Sequence, residues 1–220
     1  RGDVISLSVG LPAPEELPLS ALAHAHEGLL AELGPAFVLH SPTEGVTVFR
    51  EALASLLAAR GIHRSTSEVL VTSGSQQALD LLARAFLDPG DEVVVEEPSF
   101  FGALQVFRAA GARLIGVPAD REGLRMDALE AVLTRHRPKL VYTLPTFQNP
   151  SGVVQSLARR RQLLELAYRF QVPVVEDDPY SDLRYEGEPL PSLAALDVHS
   201  HVIYLSSFSK VLFPGLRVGF

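Results

Sequence analysis

With 220 residues, 47% of them hydrophobic and 20% charged, the chain has a soluble globular composition and enough apolar residues for a real core; its length suits one large domain or one and a half. A formal net charge of −7 and a pI of about 5.5 give no sign of a nucleic-acid surface. The absence of cysteine excludes disulfides and thiolate zinc sites and leaves a cytoplasmic setting open, and no apolar run is long enough for a transmembrane helix.

Arg1-Gly2-Asp3 carries neither an initiator methionine nor a signal-peptide pattern and reads as a trimmed boundary. Residues 4–9 are an extended run, closed by Gly10-Leu11-Pro12-Ala13-Pro14, whose prolines forbid a helix. Helical spacing covers 19–33 and stops at Gly34-Pro35. Ser41-Pro42-Thr43-Glu44-Gly45 is a turn, and 46–59 a helix. From there strands and helices alternate. Strands are expected at 68–72, 92–96, 113–118, 139–143, 172–176 and 202–205, and a further one starts at 217. Helices are expected from the 73–77 stretch to about 87, and at 101–110, 126–135 and 157–170. The strands are short continuous apolar runs, as strands covered on both faces should be. The expected fold is therefore α/β, with a mainly parallel seven-stranded sheet and helices on both faces. The chain stops inside its last expected strand, so it reads as part of a longer protein.

In such sheets ligands gather beyond the carboxyl ends of the strands. Five stretches there carry chemistry. Ser206-Ser207-Phe208-Ser209-Lys210, with Arg217 downstream, sets one lysine among hydroxyls and a guanidinium. A lysine in a dry site loses the water that stabilises its ammonium and becomes nucleophilic. Hydroxyls and an arginine fork suit a phosphate. An amine for a Schiff base beside a phosphate site is what pyridoxal phosphate needs; a solvated loop is the alternative. Ser73-Gly74-Ser75-Gln76-Gln77 opens a helix and can cradle a phosphate, or can be a plain N-cap. Phe100, in Glu97-Pro98-Ser99-Phe100-Phe101, can lie on a heteroaromatic ring or fill the core. Asn149, in the stiff loop 145–152, can bond a ring hydroxyl or a carboxylate, or merely turn the chain. Glu176-Asp177-Asp178-Pro179-Tyr180 places three carboxylates at a strand end, where burial demands a positive partner or water. A protonated pyridine nitrogen is one such partner; magnesium is another, but no third acidic or histidine cluster supports a metal.

Asn149-Pro150, Asp177 with Tyr180, and Ser207-Phe208-Ser209-Lys210 with Arg217 follow one another in this order. The chain thereby resembles the large domain of fold-type I, pyridoxal-phosphate-dependent class I/II aminotransferases. It is most similar to the subgroup of 2-aminoadipate aminotransferases and the aminotransferase-like domains of MocR regulators. The resemblance implies that Lys210 is the aldimine lysine and proton shuttle. It implies that Asp177 pairs with the pyridine nitrogen, and that Tyr180 and Asn149 bond the ring's phenolic oxygen. Gly74, Ser75, Gln76, Ser207, Ser209 and Arg217 would hold the phosphate. Phe100 stands where relatives commonly have a stacking Tyr, and Gly10 matches a glycine near the substrate. Asn149 would also face the substrate. His40 stands where relatives often have a Tyr that reaches the phosphate of the neighbouring subunit. No metal is implied.

Residues 1–42 are then an N-terminal arm and helix, and 43–220 a cofactor-binding large domain incomplete at its C-terminal end, with the small domain and its carboxylate-clamping arginine absent. The expected protein is a cytoplasmic, homodimeric aminotransferase of amino acid metabolism, moving an amino group between an amino acid and a 2-oxo acid. It binds neither nucleic acid through this segment nor a membrane. The rival is the effector domain of a transcriptional regulator whose DNA-binding module lies upstream of Arg1.

Overall fold

The valine-rich runs become the centre of a sheet because both of their faces are covered. The computed structural model describes residues 10–35, 39 and 41–220, and the extended run over 4–9 lies outside them. Six strands, β1 (Glu92–Glu97), β2 (Arg113–Asp120), β3 (Gly123–Leu124), β4 (Leu140–Thr143), β5 (Val174–Asp177) and β6 (Val202–Leu205), form a sheet in the order β3-β2-β1-β4-β5-β6. All neighbours run parallel except β3, which returns antiparallel on β2. Alternate residues of a strand point to opposite faces. Val94, Val117, Val141, Val174 and Val202 accordingly join one core cluster, and Val93, Val95, Leu140, Tyr142, Val175 and Leu205 the other.

Seven helices are found among the described residues: α1 (Leu19–Leu33), α2 (Thr47–Ala59), α3 (Ser75–Phe86), α4 (Phe101–Ala109), α5 (Met126–Arg135), α6 (Leu157–Phe170) and α7 (Leu193–Leu196). The first face packs Leu53 and Leu57 of α2, Leu129 and Leu133 of α5, Leu163 of α6 and Leu193 of α7. The second packs Leu79 of α3 and Phe107 of α4. α1 buries none of its residues. No helix among the described residues is long and apolar enough to cross a membrane.

Two of the seven expected strands are not regular strands, and β3 is an addition to them. Residues 66–68 form a 3-10 turn, and of the 68–72 run only Thr72 makes a bridge. The 217–220 run likewise contributes bridges through Gly219, antiparallel to Thr72 on one side and to Ser207 on the other. The backbone bonds are regular but few: Thr72 N–H to Gly219 O at 2.8 Å, Gly219 N–H to Thr72 O at 2.9 Å, and Ser206 N–H to Phe220 O at 2.9 Å. So the last residues extend the sheet past β6 without a full ladder. A Cβ at Gly219 would stand 2.7 Å from the Gly74 carbonyl carbon and from Ser75 N, so the approach needs glycine.

Candidate active site

The three carboxylates that end β5 separate by strand alternation. Glu176 points into one face, where its oxygens accept the N–H groups of Leu193 and Ala194, both at 2.8 Å. It caps the buried start of α7, where Leu193 and Ala194 lie in the core. Burial pushes its pKa up to about 7, with those two N–H groups opposing. We expect Glu176→Ala in the intact protein to leave two N–H groups orphaned and to cost about 2 kcal/mol in a urea melt, with Glu176→Gln losing less. Asp178 accepts the Tyr204 hydroxyl at 2.8 Å and Ser181 N–H at 3.2 Å.

Asp177 points the other way and is only 2% exposed. Its Oδ2 accepts the Tyr142 hydroxyl at 2.7 Å, while its Oδ1 is buried with no hydrogen-bond partner among the described residues. Burial raises its pKa to about 6; the Tyr142 bond lowers it, and the charge of Asp178 adds to the rise. This is an acceptor held ready for a donor that none of the described residues supplies. No cluster of three or more acidic, histidine or cysteine side chains among the described residues could hold a metal ion.

The bridges through Gly219 bring the start of α3 beside the Ser207–Arg217 segment. Gly74 is the N-cap of α3, at φ 79°, with no side chain capping the helix. The N–H groups of Ser75 and Gln76 therefore find no acceptor among the described residues. Gln77 reaches back instead to Ser73 N–H at 2.6 Å. Arg217, itself at φ 51°, donates from Nη2 to Ser73 O at 3.3 Å. A Cβ on Gly74 would lie 2.7 Å from that Nη2, so glycine admits the guanidinium. Ser207 Oγ and Ser209 Oγ lie 2.8 Å apart, and Ser209 N–H donates to Ser207 Oγ at 3.1 Å. Helix N–H groups, two hydroxyls and an arginine thus converge on one spot, which is the donor set of a phosphate cradle. Gln76 Nε2 is turned to Gly102 O at 3.1 Å.

Lys210 Nζ donates to the carbonyl of Gly10. Partial burial lowers its pKa. Within this chain the only other lysine is Lys139, which faces Asp91 at 3.7 Å beside the N-terminal end of β4. Asn149 Nδ2 donates to the Tyr180 hydroxyl at 3.3 Å. Burial raises the Tyr180 pKa, the Asn149 bond opposes, and Asp177 adds to the rise. Phe100 ends the approach to α4 and is partly buried against the second core cluster, so its ring serves packing as well as lining. A Cβ on Gly102 would lie 2.6 Å from that ring and 2.9 Å from Gln76 Oε1. His40 lies outside the described residues.

Three residues escape the sequence reading. Tyr142, fully buried in β4, orients Asp177. Arg160, fully buried in α6, braces both ends of the Asn149 loop by donating to Pro145 O at 2.8 Å, Thr146 Oγ1 at 2.9 Å and Gln155 O at 3.0 Å. Glu96, 4% exposed at the end of β1, accepts Thr143 Oγ1 at 2.6 Å, Gln148 Nε2 at 3.1 Å and Leu144 N–H at 3.2 Å. Burial pushes its pKa up to about 7 against those three donors. The available signal is a polar group inside an apolar run, as in Val141-Tyr142-Thr143 and Val95-Glu96.

A parallel sheet flanked by helices, with a lysine, an unpaired carboxylate and a phosphate cradle at one sheet end, defines the large domain of a fold-type I transferase. The chain belongs to the family described as aminotransferase class I and II, whose model matches residues 2–220. It is 46% identical over 223 residues to the 2-aminoadipate transaminase of Thermus thermophilus, covering 100% of this chain and 55% of that one. It is similar to the kynurenine aminotransferase of Pyrococcus horikoshii, crystallised with PMP, at a TM-score of 0.94 and 44% identity, covering 99% of this chain and 55% of that one. An uncharacterized HTH-type transcriptional regulator of Bacillus subtilis is 35% identical, covering 100% of this chain and 45% of the regulator. The chain spans about half the length of the curated relatives it matches.

Proposed function

We propose that the protein carrying this chain is a pyridoxal-phosphate-dependent aminotransferase acting between an amino acid and a 2-oxo acid. The observation that carries this reading is Asp177 Oδ1, buried and unpartnered, on the same sheet end as Lys210 and the phosphate cradle. The residues present fit the cofactor. The α3 start with Gly74, Ser75 and Gln76, the Ser207 and Ser209 hydroxyls and Arg217 would hold its phosphate. Asp177 would meet the ring nitrogen, Asn149 and Tyr180 the phenolic oxygen, and Phe100 a ring face.

When bound, pyridoxal phosphate supplies an electron sink for the pair left on the substrate α-carbon. The chain's own residues then have separable tasks. Lys210 Nζ, its pKa lowered by burial, is the amine that takes up the α-proton and returns it. Asp177 holds negative charge at the ring nitrogen, and Tyr142 fixes the direction of its carboxylate. Gly10, whose carbonyl touches Nζ, leaves room at the substrate side, since even a Cβ there would stand 3.8 Å from Nζ. The same reading includes a homodimer in the cytoplasm, in keeping with the unburied α1 and the absence of cysteine.

Borohydride reduction of the purified intact protein is expected to fix the cofactor mass on the peptide containing Lys210. Sedimentation of the same preparation is expected to give twice the subunit mass. Label on Lys139, or on a lysine outside this chain, would remove Lys210 from the role. A second reading follows from the regulator relative: the same cofactor site reporting an amino compound to a DNA-binding module. Turnover of amino donors in the intact protein favours the enzyme; sequence-specific DNA binding without turnover favours the regulator.

A further inference from the structure

Asn149 owes its place to the residue before it. Gln148 is 5% exposed, and its side chain is engaged at both ends. Its Nε2 donates to Glu96 Oε2 at 3.1 Å and to Pro98 O at 2.8 Å. Its Oε1 accepts Ser151 N–H at 2.8 Å and Ser151 Oγ at 2.6 Å. The Gln148 N–H closes the turn on Val153 O at 2.9 Å. Gln148 therefore ties the centre of the loop to the end of β1, while Arg160 holds the two loop ends. Glu96 is the charged anchor of that tie, and its remaining oxygen positions are taken by Thr143 and Leu144 at the end of β4. It touches neither Lys210 nor Tyr180 by any hydrogen bond among the described residues.

We propose that Glu96 is a positioning residue for the reaction, holding Gln148 so that Asn149 is aimed at the Tyr180 hydroxyl and the cofactor's phenolic oxygen. The proposal rests on the cofactor reading of Asn149 given above. Glu96→Met keeps the length but removes both carboxylate oxygens, so Gln148 Nε2, Leu144 N–H and the Thr143 hydroxyl lose their common acceptor. The loop then loses its central tether and keeps its ends.

The test is a double-mutant cycle in the intact, cofactor-loaded protein, using Glu96→Met, Asn149→Ala and the pair. Three quantities are read: the pH midpoint of the bound cofactor's visible absorbance, the affinity of the apoprotein for pyridoxal phosphate, and kcat/KM. Glu96→Met is expected to move the midpoint in the same direction as Asn149→Ala and to weaken cofactor affinity about two- to tenfold, the range of one lost hydrogen bond. In the Asn149→Ala background it is expected to add nothing. A shift that adds to that of Asn149→Ala would report a direct electrostatic path to Asp177 and overturn the proposal. So would a lowered melting temperature with an unmoved midpoint, which marks a purely structural carboxylate. A silent Asn149→Ala spectrum overturns the underlying reading together with the proposal, whereas a shifted Asn149→Ala beside a silent Glu96→Met overturns the proposal alone. Should Glu96→Met fail to fold, Gln148→Met cuts the same tether from the loop side, and the same outcomes decide.

Discussion

Lys210→Ala in the intact protein is expected to lower kcat/KM for transamination by more than about 10⁴-fold, the upper end for a positioned proton-transfer group. No other amine in this chain can take over. Lys139 lies beside the opposite end of its strand, engaged with Asp91. Burial lowers the Lys210 pKa, and Nζ is held against the Gly10 carbonyl. That burial shifts the balance toward the neutral amine relative to a surface lysine. Lys210→Arg is expected to be as inactive as the alanine variant, because a guanidinium stays protonated at any working pH. Cofactor phosphate should still be retained by both variants. The donors proposed for it, Ser75, Gln76, Ser207, Ser209 and Arg217, belong to the α3 start and the segment bridged through Gly219, not to Lys210. Equilibrium dialysis of pyridoxal phosphate separates these effects. A variant with more than about one hundredth of wild-type turnover would remove Lys210 from proton transfer.

What is legible in the sequence is legible because it is local. Ser207, Ser209, Lys210 and Arg217 sit within one segment after β6, and Asp177 and Tyr180 at the end of β5 and in the turn after it, so spacing alone brings each group together. The long amphipathic helices and the valine runs of β1, β4 and β5 follow from periodicity in the same way. The strand expected at 68–72 fails for a reason spacing does not record. Its run is apolar, but its backbone partners come from two distant places: Val71 N–H bonds Glu44 O at 2.9 Å, and Thr72 makes a single bridge to Gly219. β3 is two residues long, too short to show a period. Tyr142 and Glu96 act across neighbouring strands, on Asp177 and Thr143, 35 and 47 residues away, and Arg160 reaches from its helix to Thr146, 14 residues away, as well as to the nearby Gln155. Glu176 and Asp177 group together in the sequence because they are adjacent. Strand alternation sends them to opposite faces, one to cap α7 and one to the site.

Asp177→Asn separates the charge of that carboxylate from its shape. The amide oxygen can still accept the Tyr142 hydroxyl, whereas Asp177→Ala leaves that hydroxyl orphaned in a fully buried position. Both variants are expected to lose transamination by about 10²–10³-fold, the usual loss when one preorganised electrostatic group is removed. Neither should lose the phosphate contacts, so cofactor is retained. The apoprotein carries a second signature. Burial raises the Asp177 pKa to about 6, above its ordinary value. Between those two values the folded state binds more protons than the unfolded chain. The carboxylate's contribution to stability therefore falls as pH rises through that window, and the cost is fully present above about pH 6. The amide of the Asp177→Asn variant cannot titrate, so its apo melting temperature should fall less steeply than that of wild type between about pH 4 and 6 (Glu96 and Glu176, raised to about 7, keep part of the slope in both proteins). Adding pyridoxal phosphate should then stabilise wild type more than Asp177→Asn at about pH 8, above the raised Asp177 pKa, because only wild type offers a charge to a ring N–H. Parallel melting profiles for the two apoproteins, or equal stabilisation by the cofactor, would place the ring nitrogen's partner elsewhere than Asp177.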